Sequence, residues 1–291
     1  MSDSPSYILY DTPAEHVARI TLNRPAQANS QDTRVLYQLN EAFDRAAHDD
    51  NVRVIILAAN GKHFSAGHDL LENRANYAQN MSEHRTVFPI CGFGCGGVQA
   101  QMAREEELYT GFSERWRNIP KPTIAAVQGK CIAGGLMLVW PCDIIIASED
   151  AIFSDMTVTI GVGGVEYFAH VWELGARKAK EMLFTSDEFT AAQAQDWGMV
   201  NKIVPREQLA DAALEMASRI ARKPPFALKL AKKAVNGCVD AQGRDVAMQN
   251  AFHLHQVAHA HNLKLFDELI DPSGIPQAVK KSERAQKPGG G

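Results

Sequence analysis

Three stretches of this chain combine residue types and spacings that could do chemistry. In the first, Thr123-Ile124-Ala125-Ala126-Val127 reads as a strand and is followed by Gly134-Gly135 and an apolar, helix-competent segment, Leu136 to Trp140. A glycine pair just before a helix leaves backbone N–H groups free and lets a ligand approach closely. With the positive end of the helix dipole, such groups suit an anionic oxygen. The pair therefore reads either as half of an oxyanion hole or as a tight strand-to-helix turn packed for steric reasons. In the second, His253, His255, His259 and His261 cluster in one helical segment, with His255 and His259 one turn apart, a spacing able to bind metal. No glutamate sits beside them in a His-Glu-x-x-His pattern, and the cluster is read as helix surface or subunit interface. In the third, Cys91 and Cys95 flank glycines in a Cys-x-x-x-Cys spacing that is not a zinc-ribbon pair. That segment is read as a Gly-rich element at a pocket mouth.

The elements that would position these groups follow from patterning. Tyr7 to Tyr10 and Val17 to Leu22 read as strands around an Asp11-Thr12-Pro13 turn, and Val52 to Ala59 as a buried strand by its unbroken apolar character. Asp32 to Ala47 has helical spacing, with Val35, Leu36, Leu39, Ala42, Phe43 and Ala46 on one face. Glu72 to Trp116 is long, polar and partly helical. Past Ala151 short strands, loops and helices alternate: Glu166 to Trp172, Glu181 to Phe184 and Thr190 to Trp197 read as helices, and Met199 to Val204 as a strand. After Pro205 the strand signals stop, and Glu207 to Arg222, Pro225 to Val235 and Val246 to Leu269 read as helices separated by Pro and Gly. The tail Lys287 to Gly291 is expected to be disordered.

Composition narrows the class. The chain has 291 residues, 45% of them hydrophobic, enough to bury a large core. A net charge of −4 and a pI near 6.2 give no basic surface for nucleic acid or an anionic membrane. The first residues lack the basic and apolar regions of a signal peptide, and no apolar run reaches membrane-spanning length. Five irregularly spaced cysteines fit reduced thiols in a cytosol. A cytoplasmic protein is the expectation.

The loop His63 to Leu71, HFSAGHDLL, follows the Val52 to Ala59 strand. Together with Asn23-Arg24-Pro25, Ala133-Gly134-Gly135, the Pro141 to Ala147 run, Gly161 to Gly164, and Thr190-Ala191 through Gly198-Met199-Val200, it resembles the crotonase (enoyl-CoA hydratase/isomerase) superfamily. The resemblance is colinear from Val17 to Pro205. It implies an α/β fold, a spiral of ββα units, with residues 1–205 forming the acyl-CoA-binding core. Residues 206–291 would form a helical region that packs on the core and on neighbouring subunits of a homotrimer or homohexamer. It further implies that the backbone N–H groups of His68 and Gly134 are the two oxyanion donors. Arg24, Ala26, Ala66, His68, Asp69, Leu70 and Gly134 would contact substrate or CoA, with Arg24 a candidate phosphate contact or an ordinary exposed cation.

The chain departs from the family at one point. Hydratases of the superfamily use two glutamates, and their positions fall here on Met137 and Thr157. Neither residue type suits general acid–base work at neutral pH. Glu166, just after the Gly161 to Gly164 loop, is the candidate relocated base, or else a first-turn glutamate complementing a helix dipole. Asp155 is a weaker candidate, and Tyr167 and His170 are possible partners of Glu166. The resemblance implies hydratase- or isomerase-like chemistry on an acyl-CoA thioester through an enolate, with no metal or redox cofactor, because CoA belongs to the substrate. The alternatives are a C–C or thioester hydrolase of the same fold, and a non-catalytic acyl-CoA-binding protein.

Overall fold

A computed structural model describes residues 6–72 and 81–275. The partly helical stretch expected over Glu72 to Trp116 falls in part outside these residues, and the tail Lys287 to Gly291 wholly outside. Two strands open the chain, β1 (Ile8–Ala14) and β2 (Val17–Leu22), paired antiparallel. The expected Asp11-Thr12-Pro13 turn is instead part of β1. The reversal comes at Glu15-His16, where His16 adopts a positive φ of 64°.

Parallel strands β3 (Val54–Ala59), β4 (Thr123–Val127), β6 (Ile144–Ser148) and β9 (Lys202–Val204) extend this into a six-stranded sheet in the order β1-β2-β3-β4-β6-β9. The unbroken apolar runs are explained by burial on both faces. Ile55, Leu57, Ala125, Val127, Ile145 and Ala147 point into the main core. Their alternate neighbours Val54, Ile56, Ile124, Ala126 and Ile146 pack under a later helix, α7 (Leu209–Ala221), through Leu209, Ala212, Ala213 and Ala217.

The main core is closed by α1 (Thr33–His48), capped by the Asp32 carboxylate accepting from the Val35 N–H at 2.8 Å. It is also closed by a long helical rod made of α2 (Val98–Glu105), a π-helical turn (Glu106–Gly111) and α3 (Phe112–Arg117). A second, three-stranded sheet joins β5 (Lys130–Ile132), β7 (Ile152–Ser154) and β8 (Phe189–Thr190). Along the chain the short helix α4 (Leu136–Val139) follows β5 and precedes β6.

The next helix, α5 (His170–Thr185), begins four residues after Glu166, so Glu166 lies in the preceding loop and not in a first helical turn. After α6 (Ala191–Asp196), opened by a Thr190–Gln193 capping box, α7 and then α8 (Pro225–Asp240) and α9 (Arg244–Phe266) complete the chain. These last helices leave large apolar residues exposed, among them Phe226, Val235, Val246, Leu254 and Val257. No helix of the described residues is long and apolar enough to cross a membrane.

One buried ion pair locks the loop that leads to Glu166. The Asp155 carboxylate is fully buried and accepts from His170 Nε2 at 2.7 Å, from the Thr157 hydroxyl at 2.6 Å and from the Val165 N–H at 3.0 Å. Burial alone would raise its pKa, but the hydrogen bond and charge of His170, with the Thr157 bonds, hold it below the usual carboxylate value. Asp155 is thus a structural carboxylate outside the cavity wall, and His170 is its partner and not that of Glu166. Removing one member of such a pair strands the other. Asp155→Ala is therefore expected to lower the unfolding free energy by about 3–5 kcal/mol in urea titrations near pH 7. Because the folded pKa is depressed, the contribution is complete above the ordinary aspartate value of about 3.9 and is lost as pH falls below it. Acid titration should therefore show a shallower stability loss in Asp155→Ala than in the natural protein.

Candidate functional site

Two backbone segments meet at the end of the main core. One is Ser65 to Asp69, the other Ile132 to Gly135, and they run side by side, with Ser65 bridged to Cys131 and the Ile132 N–H donating to the Ser65 carbonyl at 3.0 Å. The approach is too close for side chains. An added Cβ on Gly67 would lie 3.0 Å from the Gly134 nitrogen, and one on Gly134 would lie 3.1 Å from the His68 nitrogen. Gly67 also takes φ +88°, open to glycine at little cost. Gly134 sits in the first turn of a short 3-10 turn, Ala133–Gly135, so its N–H has no acceptor within that turn. Among the described residues no backbone acceptor is paired with the His68 N–H. Two backbone donors thus lie next to each other at one wall of a cavity of about 1270 Å³.

Gln31, which the sequence patterning did not single out, holds the two segments together. Its backbone donates to the Gly67 carbonyl at 2.9 Å and accepts from the Asp69 N–H at 2.9 Å. Its buried side-chain amide donates to Ser65 Oγ and to the Gly134 carbonyl, each at 3.0 Å. The chain carries no local signal for this role, because the partners lie 34 and 103 residues away.

All the residues expected to contact substrate or CoA line this one cavity: Arg24, Ala26, Ala66, His68, Asp69, Leu70 and Gly134. Arg24 is not a free cation, since its guanidinium donates to Asp69 at 2.6 Å and to Ser30 at 3.2 Å. Of the two positions onto which the family resemblance places glutamates, Thr157 lines the cavity, while Met137 is buried with its carbonyl accepting from Ser113. Tyr167 is buried away from the cavity, its hydroxyl taken by Arg244 at 2.5 Å. The Gly-rich segment 91–97, expected at the mouth, contributes no lining residue, and its two cysteines are exposed. Its one large side chain, Phe93, packs against the main core instead.

Glu166 does reach the cavity, and it brings company. Its carboxylate lies 3.8 Å from His68 Nδ1 and 3.3 Å from His255 Nε2. His255 Nε2 is 2.9 Å from His259 Nε2, which is 3.1 Å from the Glu105 carboxylate. The reading of these histidines as helix surface is therefore corrected: His255 and His259 are 5% exposed and project inward from one face of α9, while His253 and His261 stay outside. Helical spacing put them on one face, but only the docking of α9 against α2 decided that the face is buried. Glu105 carried no sequence signal. The π-helical turn after it lays Tyr109 flat on the His68 ring, with centroids 4.0 Å apart and planes 7° from parallel.

Burial sets the charges. It lowers the pKa of His68, opposed by the Glu166 carboxylate and aided by the neighbouring Arg104. Burial would likewise lower His255, but the charge and hydrogen bond of Glu166, with Glu105 behind, raise it to about 9. Burial opposes charge on Glu166, yet the His68 and His255 imidazoles outweigh it and hold the carboxyl well below its usual value.

Comparison with known proteins identifies the family. The enoyl-CoA hydratase/isomerase family model matches residues 12–90 and 92–272. The chain belongs to that family. It is 44% identical over 259 residues to a Mycobacterium tuberculosis protein named "Putative enoyl-CoA hydratase EchA13", covering 88% of this chain and 81% of the relative. The crystal structure of a probable enoyl-CoA hydratase from Mycobacterium smegmatis superposes with TM-score 0.81 at 47% identity, over 91% of this chain and 99% of that one. A monofunctional enoyl-CoA isomerase from the same species superposes with TM-score 0.64 at 28% identity, over 81% and 95%. The architecture is thus the crotonase fold, and the chain is a hydratase- or isomerase-type enzyme by family.

Gln31→Met keeps the side-chain volume but removes the amide. It should cost about 1–3 kcal/mol in chemical denaturation by leaving buried groups unpaired, and it should lower kcat/KM on an acyl-CoA substrate without abolishing the fold seen by circular dichroism.

Proposed function

We propose that this crotonase binds an acyl-CoA thioester, holds its carbonyl oxygen on the N–H groups of His68 and Gly134, and moves a proton at Cα with the Glu166 carboxylate. The observation that carries the reading is the pairing of those two backbone donors with an ionised, buried carboxylate at the same cavity. Donors aimed at a developing enolate oxygen are each worth roughly 2.7–4 kcal/mol, because charge builds where the dipoles already point. Glu166 takes over the acid–base work that Met137 and Thr157 are chemically unsuited to do. CoA enters as part of the substrate, with the Arg24–Asp69 wall beside it. The exposed apolar side chains of α8 and α9 support a homotrimer or homohexamer, since large apolar areas of this kind are commonly covered by partners. The net charge of −4 fits the cytoplasmic location expected from composition.

Lyase or isomerase chemistry at Cα/Cβ is the reading the two relatives' names support. A purely binding protein is disfavoured, because ground-state binding has no need of two convergent donors facing a carboxylate base.

Deuterium exchange at Cα of saturated and enoyl-CoA thioesters in D₂O tests the assignment. The natural protein is expected to exchange, and Glu166→Gln to lose about 10²–10⁴ of that rate. Exchange surviving in the variant would remove Glu166 from the chemistry. Gly134→Ala places a methyl 2.5 Å from the His68 ring and 3.1 Å from its nitrogen. It should cost about 10²–10³ in turnover through the lost donor geometry, read as kcat falling more than KM rises.

A further inference from the structure

The pair His255–His259 poses a problem of proton bookkeeping. His255 Nδ1 faces the Gly164 carbonyl at 2.9 Å, and His259 Nδ1 faces the Leu269 carbonyl at 2.7 Å. A carbonyl oxygen only accepts, so each Nδ1 carries a hydrogen and each Nε2 presents a lone pair in the neutral ring. Yet the two Nε2 atoms face each other at 2.9 Å. Two lone pairs at that distance repel unless a cation lies between them, either a proton carried by His255 or a metal ion that displaces it. Two carboxylates complete the ring around the same point, Glu105 Oε1 at 3.1 Å from His259 and Glu166 Oε1 at 3.3 Å from His255. All four donor atoms lie within 4.8 Å of one another, and all four residues are buried.

From this geometry we infer that Glu105, Glu166, His255 and His259 form a divalent transition-metal site at the floor of the acyl-CoA cavity. Bonds of 2.0–2.2 Å to nitrogen and oxygen place tetrahedral donor atoms roughly 3.3–3.5 Å apart, which the observed 2.9, 3.1 and 3.3 Å separations approach. Imidazole with carboxylate suits zinc and neighbouring first-row ions more than magnesium or calcium, which favour all-oxygen sites.

The surrounding shell is arranged as metal sites need. Each imidazole is fixed in the Nε2-ligating tautomer by a backbone carbonyl on its far nitrogen. The Glu105 carboxylate is oriented by the amides of Gln101 and Gln256. Independently, Glu166 Oε2 is buried and has no hydrogen-bond partner among the described residues, on a side chain 5% exposed, so the carboxylate is under-satisfied by protein alone.

The catalytic consequence rests on the enolate reading above, although the occurrence of the site does not. An ion held through Glu166 Oε1 leaves Oε2 to take the α-proton. With substrate bound, the ion would expand from four ligands to five and take a water whose pKa falls toward about 7. Addition of that water to an enoyl-CoA forms the O–Cβ bond while the C=C pair shifts into the thioester enolate on the His68 and Gly134 N–H groups. The proton released by the water returns to Cα. The site thereby supplies the water that two glutamates would otherwise deliver.

The test is metal binding by the full chain, stripped with a chelator and dialysed, with Co²⁺ followed by visible absorption and Zn²⁺ by calorimetry. One ion per chain is expected, with the d–d bands of a tetrahedral nitrogen–oxygen site, and with a Tm raised by the ion and restored by EDTA. His259→Ala and Glu105→Gln should each weaken binding by at least about 100-fold, the upper end of losses seen when even outer-shell partners are removed. The double variant His253→Ala/His261→Ala, which removes the two outward histidines of the same helix, should bind as the natural protein does. Absence of saturable binding by the natural protein overturns the site whether or not any variant folds. So does binding that persists in His259→Ala or vanishes in the outward double variant. Metal binding without α-proton exchange would overturn the enolate reading and leave the metal site standing, and exchange without metal binding would do the reverse.

Discussion

Two backbone amides can act on one oxygen only if the loops that carry them are held side by side with nothing between, and that constraint shapes much of this molecule. The Ser65–Asp69 and Ile132–Gly135 segments come so close that neither Gly67 nor Gly134 has room for a Cβ. Such contact is costly in chain entropy, since it fixes two loops far apart in sequence. It is offset by the parallel strands β3 and β4, which launch the loops from adjacent positions in the sheet, and by Gln31, whose amide bonds tie one loop to the other. The fold is in this sense a frame for one backbone contact.

Opposite that contact lies a second constraint of a different kind. Glu105, Glu166, His255 and His259 bring four ionisable groups out of water, where uncompensated charge is prohibitively expensive. They are tolerable only as a set, and each member comes from a different part of the chain: α2, the loop after Gly164, and two successive turns of α9. The C-terminal helices therefore do more than cover the core, because α9 carries half of the set. The buried Asp155–His170 pair and the glycine loop 161–164 hold the segment that presents Glu166 at the right height.

The order of elements and the positions of the two amide-bearing loops were legible in the sequence, because both rest on local rules. Continuous apolar runs marked β3, β4 and β6, helical periodicity marked α1, and glycines marked the turns where backbone must approach backbone. Family motifs then added their order along the chain. Boundaries were less legible. The Asp11-Thr12-Pro13 stretch joined β1 because this edge strand shifts register between Asp11 and Ala14, where a proline is tolerated, and Glu166 lies outside its helix, just after Val165, whose N–H donates to Asp155.

What the sequence alone determined, then, was the set of strands and turns that places the His68 and Gly134 amides. These follow from backbone chemistry, which acts over a few residues. What only the tertiary structure decided was which side chains face the cavity: that His255 and His259 turn inward, that Glu105 joins them, that Asp155 belongs to His170, and that Gln31 spans both loops. Those outcomes depend on how whole helices and loops dock across tens to a hundred residues of chain. The energy of burying a charge is set by neighbours that sequence proximity does not reveal.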